Sequence, residues 1–233
     1  MPVITINGPI GAGGVEVGQT VAQMLNINYV DRLVLAEAAK LVKSPVGALI
    51  HKEQRVVRFG DRLARFLQNV LERSALSGIS GEVYFGRTAE LLPAETYTEL
   101  AGDPSSAAQR LNDKAFIDAT TSVVKDLAKA DNVVIIGRGA NMMLADVPGV
   151  VHVGLSGSVA LRIQTISRRE HLTADQARAE VEELEQARIT FFRKFFKVRP
   201  SDPTLYHIML NMDKVPPKTA AEIIVHSVKD LAG

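Results

Sequence analysis

Short runs of apolar, mostly β-branched residues alternate along this chain with stretches in which apolar positions return every three to four residues. Val3 to Asn7 predicts a first strand, and Val17, Val21, Met24 and Leu25 predict a helix behind it. Further strands are predicted at Ile27 to Val30, Val133 to Ile136, Val150 to Leu155 and Tyr206 to Leu210. All but the second are rich in long aliphatic residues, as strands covered on both faces are. Lys218 to Leu231 predicts a closing helix with Ile223, Ile224, Val228 and Leu231 on one face. Strands alternating with helices imply an α/β fold, a parallel sheet flanked by crossover helices. No internal repeat or low-complexity tract interrupts it.

Between about residues 44 and 130 the pattern turns mostly helical, broken by stretches such as Ser77 to Gly81 and Gly102 to Ser106. This reads as a helical insertion in a single domain spanning 1–233, with the core at about 1–43 and 131–233. Its clearest piece runs from Glu53 to Arg73, with Val56, Phe59, Leu63, Phe66, Leu67 and Val70 on one side and Arg55, Arg58, Arg62 and Arg65 on another. Such a basic stripe suits a nucleotide phosphate or an acidic partner, and equally a solvated face whose long stems cover the apolar edge.

Composition narrows the class. With 46% hydrophobic residues, 23% charged residues and a net charge of +1, the 233-residue chain has the make-up of a soluble globular protein with a sizeable core. The balanced charge points to neither nucleic acid nor a membrane surface as partner. The absence of cysteine excludes disulfides and thiolate metal sites, and fits a reducing, cytoplasmic setting. No apolar run is long enough to span a bilayer, and no secretory leader pattern opens the sequence.

The chemistry concentrates at the first strand-to-helix turn, Asn7-Gly8-Pro9-Ile10-Gly11-Ala12-Gly13-Gly14-Val15. A phosphate cradle of the form G-x-x-x-x-G-K-[ST] wraps phosphates in backbone N–H groups, adds a lysine for the terminal ones and a hydroxyl for Mg²⁺. Gly8 and Gly13 fit, but Gly14 stands in place of the lysine and Val15 in place of the hydroxyl. A dinucleotide fingerprint would need glycine where Glu16 stands, so that reading fails. A tight turn that merely lets helix and strand pack closely is the alternative to an anion site. Placement before a helix N-terminus favours the anion.

A second arginine concentration follows the fourth strand: Arg162, Arg168, Arg169, Arg178, Arg188, Arg193 and Arg199. Guanidinium groups clamp phosphate oxygens bidentately, and phosphoryl transfer needs that charge where the loop supplies no lysine. Glu180, Glu182, Glu183 and Glu185 offer salt-bridge partners instead.

Together these pieces resemble the cytidylate kinase-like family of P-loop nucleoside-monophosphate kinases. The resemblance rests on Ile10 to Gly14, Asn28 to Arg32, Val134 to Asn141 and Leu161 to Met212, and leaves the insertion poorly matched. It implies transfer of a phosphoryl group from ATP, with Mg²⁺, to a nucleoside monophosphate such as CMP. By this resemblance Gly8, Gly11, Ala12, Gly13, Gly14 and Val15 hold the donor phosphates. Asp31, Arg32 and Arg138 contact the acceptor. Arg162, Arg169 and Arg188 serve transfer from a lid at about 168–204. The expected partners are small nucleotides, with self-association into a homo-oligomer left open. The family often carries G-S-G-G-R-E in its loop, so Gly14 is less unusual here than in P-loops at large. Val15 nonetheless replaces that arginine, Asn141 and His207 replace acids, Glu185 replaces an aspartate, and Ala187 stands where a further arginine is common. Neutralised contacts of this kind also fit a non-catalytic nucleotide-binding or regulatory protein. An interaction module built on the Arg55 to Arg65 helix is the third alternative.

Overall fold

A computed structural model describes residues 2–30 and 107–231. Five strands, β1 (Val3–Asn7), β2 (Asn28–Val30), β3 (Val133–Ile136), β4 (Val150–Ser156) and β5 (Ile208–Asn211), form one sheet in the order β2-β3-β1-β4-β5. All pairings are parallel, with Val3 opposite Val133 and Val150, and Ile6 opposite Ile136 and Val153. The α/β architecture expected from the alternation is therefore the one observed.

The side-chain period of two divides the strands between two cores. Ile4, Ile6, Val134, Ile136, Val151, Val153 and Leu155 face one side, where α1 (Gly14–Leu25) supplies Val17 and Val21 and α6 (Pro217–Leu231) supplies Ile224 and Val228. Val3, Val133, Ile135 and Val150 face the other, against Val123, Val124 and Leu127 of α2 (Ala107–Lys129) and Met143 of the short α3 (Ala140–Met143). Each such aliphatic side chain contributes roughly 1.5–3 kcal/mol by leaving water. A separate helical pair, α4 (Val159–Glu170) and α5 (Ala174–Phe196), packs through Ile163, Ile166, Ala177, Val181 and Leu184, with Ile10 of the glycine-rich turn inserted among them. Both helices carry N-terminal caps: Ser158 accepts from the Leu161 N–H, and Thr173 with Gln176 forms a capping box.

Several sequence expectations shift. Tyr206 and His207 precede β5, because Asp202 caps a 3₁₀ turn at Pro203–Leu205 and the Tyr206 hydroxyl donates to the Pro200 carbonyl at 2.7 Å, spending these residues on the bend. Met24 and Leu231 are 46% and 50% exposed, so the buried faces of their helices are narrower than the spacing implied. The Glu53 to Arg73 segment and its arginine stripe lie outside the described residues. No helix among the described residues is long and apolar enough to cross a membrane.

A buried polar pair, His152 and Thr5, interrupts the second core. His152 of β4 sits across from Thr5, hydrogen-bonded at 2.8 Å between Nδ1 and the Thr5 hydroxyl, and it also bonds the Leu144 backbone. Burial first, and the neighbouring His207 second, pull its pKa down from 6.5 to about 4. The unfolded chain thus binds a proton that the folded one refuses. The neutral His152 contributes its stability above pH 6.5, and that contribution is lost as pH falls toward 4, on the order of 2 kcal/mol. Thermal unfolding across this window is expected to show the fall, and His152→Gln to flatten it.

Candidate functional site

The carboxyl end of the central strand is where open α/β sheets place ligands. Here β1 runs into the turn at Gly8, and α1 begins at Gly14. Within the turn the Ala12 N–H donates to the Pro9 carbonyl at 3.1 Å, and Gly11 and Gly13 adopt left-handed φ values of 80° and 83°. A Cβ at Gly11 would lie 2.6 Å from the Arg162 carbonyl oxygen, so the loop is wedged against the backbone of α4. Gly14, by contrast, has no left-handed φ, and a Cβ there would find nothing nearer than Leu155 Cδ1 at 3.9 Å. No side chain caps α1. Its first N–H groups and the positive end of its dipole are available to an anion.

In front of this turn lies a cleft, open to solvent, lined by Gly8 to Gly11 and Gly13 to Val15 of the loop and by Asn7, Gly137, Arg169 and Arg188, while Ala12 is buried and does not line it. Two of the three lid arginines therefore reach the space before the loop. Arg188, on α5, is 5% exposed and forks onto Glu185 at 3.0 Å (Nε) and 2.8 Å (Nη2). Its third nitrogen, Nη1, is buried and has no hydrogen-bond partner. Leaving such a donor unmet costs about 1–3 kcal/mol or more for a charged group. A cleft-facing arginine held by two nitrogens and free at the third is what an oxyanion would complete. Arg169, at the end of α4, is 27% exposed and pairs with Glu170 at 3.2 Å. Burial first, and Glu170 next, raise the Glu180 carboxyl above the usual range, with Arg169 pulling it down.

Arg162 lies behind the loop, outside the cleft. Its Nε donates to the Ile10 carbonyl at 2.9 Å, Nη2 reaches the Val181 carbonyl at 3.4 Å, and Glu185 stands 3.7 Å away. Burial pulls its guanidinium below the usual arginine value, against the pull of Glu185. Glu185 thus bridges an arginine that grips the loop backbone and one that faces the cleft. Arg168, Arg178, Arg193 and Arg199 are exposed.

On the other flank, β3 ends in three consecutive left-handed residues, Gly137 (φ 72°), Arg138 (52°) and Gly139 (71°), and Arg138 is 1% exposed. A non-glycine residue held there stores of order 1–3 kcal/mol, strain that concentrates at functional sites. Nearby, Asn7 Nδ2 donates to the Tyr206 hydroxyl at 2.9 Å and to Asn141 Oδ1 at 3.4 Å. Burial raises the Tyr206 phenol above its ordinary value, with Arg188 pulling it down. Of the family departures, Val15 lines the cleft, Ala187 is buried against Phe191 and Phe192, and His207 accepts the His152 N–H at 2.9 Å on the sheet edge. Asp31 and Arg32 lie outside the described residues. The described cleft lining contains no carboxylate or hydroxyl that would hold Mg²⁺.

The profile of the cytidylate kinase-like family matches residues 3–214. The chain belongs to that family. Among solved structures it is similar to an uncharacterized protein from Eubacterium ventriosum, at 17% identity over 98% of both chains with a TM-score of 0.62. It is also similar to a Thermus thermophilus protein, at 14% identity over 100% of this chain and 99% of that one, TM-score 0.50. A shikimate kinase from Bacteroides thetaiotaomicron lies further off, at 14% identity over 98% and 96% of the chains and a TM-score of 0.45. No curated protein matches the sequence. The first two likenesses concern the fold alone.

The bridge through Glu185 and the polar contacts of Asn7 and Tyr206 escape sequence reasoning, since they join residues up to 199 positions apart. Asn7, the amide that ends a strand of mostly β-branched residues, is the one local signal.

Proposed function

We propose that this member of the cytidylate kinase-like family transfers a phosphoryl group from ATP to a nucleoside monophosphate, CMP by family resemblance. The observation that carries this is that Arg188, whose buried Nη1 has no hydrogen-bond partner, lines the same cleft as the glycine-rich turn. In this reading Gly8, Gly11, Ala12, Gly13, Gly14 and Val15 hold the donor phosphates through backbone N–H groups and the α1 dipole. Arg188 and Arg169 neutralise charge on the moving phosphoryl group, and Arg162 holds the loop carbonyl in place. Asp31, Arg32 and Arg138 meet the acceptor. Mg²⁺ would enter on the donor phosphates, with Asp31 as its protein contact. Positioning and electrostatics are most of what such a transfer requires. A coupled phosphoryl-transfer assay with ATP, Mg²⁺ and a panel of monophosphates, beside direct nucleotide titration, tests this. Turnover supports the kinase.

A second reading, nucleotide binding without transfer, is favoured by a described lining that offers arginines but no metal-holding side chain. Binding without turnover would select it.

The ordinary backbone at Gly14 makes the missing charge restorable. Gly14→Lys with Val15→Thr is expected to fold normally and tighten ATP binding about tenfold, supplying the cation and hydroxyl of the general loop. Unchanged ATP affinity in a stable double variant would mean that positions 14 and 15 do not face phosphate.

A further inference from the structure

The amide of Asn7, at the end of β1 and on the lining of the cleft, is held in one orientation by Tyr206. Pro200 O accepts only, so the Tyr206 hydroxyl donates to it at 2.7 Å. The phenol oxygen is thereby left to accept, and it takes a hydrogen from Asn7 Nδ2 at 2.9 Å. The second N–H of that nitrogen is directed to Asn141 Oδ1 at 3.4 Å. Asn7 thus has its nitrogen committed on the protein side, and its oxygen is the free atom. No group among the described residues donates to Oδ1, and unlike Arg188 Nη1 it is not sealed from solvent. The fold makes room for this arrangement, since a Cβ at Gly154 of β4 would lie 3.0 Å from the Tyr206 ring.

That oxygen is out of character with its surroundings. Arg169, Arg188 and the amides of the turn all donate, and Asn7 is the one described lining residue whose side chain accepts. Nearby carbonyls are already engaged: Ile6 by the Gly137 N–H, Pro9 by Ala12, Ile10 by Arg162 and Gly137 by Ala140. The cations draw any oxyanion in, but a bare oxygen set against Oδ1 is repelled. We propose that Asn7 is a specificity-determining residue, with Tyr206 as its positioning residue, and that the cleft selects a phosphate-bearing ligand that presents a hydrogen to Asn7 Oδ1. This deepens the kinase reading and rests on it for the ligand being a phosphate compound. The hydrogen's source is either an oxygen of the phosphate itself or an O–H or N–H of the nucleoside.

Hydrogen phosphate and sulfate have the same shape and the same double negative charge and differ by one hydrogen, so the arginines do not tell them apart. Calorimetric titration of phosphate, sulfate and CMP into the full chain at pH 8, with EDTA so that no metal-bound water supplies a hydrogen, reads the selection. At that pH the CMP phosphate carries no hydrogen of its own. Wild type is expected to prefer phosphate to sulfate about tenfold, the worth of one hydrogen bond to a charged group. Tyr206→Phe keeps the ring over Gly154 but frees the amide to turn its nitrogen to the cleft, so the ratio should fall to near one. Asn7→Ala, which removes the acceptor, should do the same, and the double variant should match Asn7→Ala alone because Tyr206 acts only through Asn7. This pattern assigns the hydrogen to phosphate; a wild-type ratio near one, with CMP bound about tenfold more weakly by both variants, assigns it to the nucleoside. A preference that survives in either folded variant, even with a lowered melting temperature, would overturn the proposal. So would a ratio near one with CMP affinity unchanged, or wild-type protein that binds none of the three. Absence of turnover, by contrast, would count against the kinase reading alone.

Discussion

Arg188→Ala is expected to lower phosphoryl transfer at least a hundredfold, about 3 kcal/mol of transition-state stabilisation, the size of effect that removing one preorganised charge-stabilising donor produces. The guanidinium is held by Glu185 through two nitrogens and by the face of Phe192, 6.0 Å from its ring centroid, so its third nitrogen is aimed before any ligand arrives. Preorganisation of that kind acts on rate more than on stability. Truncation also strips Glu185 of its bidentate partner and leaves it Arg162 at 3.7 Å, so some fall in melting temperature accompanies it. Glu185→Gln separates the two effects, because it weakens the same ion pair while keeping the cleft cation. Rate losses in the two variants that simply follow their losses of stability would reduce Arg188 to a packing residue.

The second large effect is expected at Gly11. Alanine there must adopt a φ of 80° and bring its methyl to 2.6 Å from a backbone oxygen of α4, so the loop or the helix has to move. The left-handed conformation alone costs about 1–2 kcal/mol, and the collision adds to it. A fall in stability of about 3 kcal/mol and loss of ATP binding by more than a hundredfold should follow. Gly14→Ala, three residues on, is the internal control. Its backbone is ordinary and its nearest neighbour is at contact distance, so stability should stay within about 1 kcal/mol of wild type. Equal effects at the two positions would mean that the turn is not built as described.

The sequence made the scaffold legible where one rule decided the outcome. β1, β3 and β4 are short, β-branched and covered on both faces, and each appears within a residue of its expected bounds. β5 shifted by two residues at its start because a capped turn claimed Tyr206 and His207, a competition that apolar content does not reveal. Of the segment expected to be helical between 44 and 130, the described residues 107–129 form α2, and that α2 seals one face of the sheet with Val123, Val124 and Leu127 was not legible. At the site, Gly11 and Gly13 announced themselves, since few residues other than glycine take such φ values. The arginines announced only their charge. Which of them faces the cleft depends on Glu185, and Arg162 is turned inward by the Ile10 carbonyl, a contact spanning 152 positions.

Everything proposed for this cleft requires that the turn bind phosphate. Calorimetric titration of the full chain with pyrophosphate and with ATP, repeated on Gly11→Ala, measures that without asking for turnover. One saturable site in the wild-type protein, lost in the variant, is the expected result. Wild-type protein that takes up neither anion at millimolar concentration, with a melting temperature unmoved by both, would contradict it.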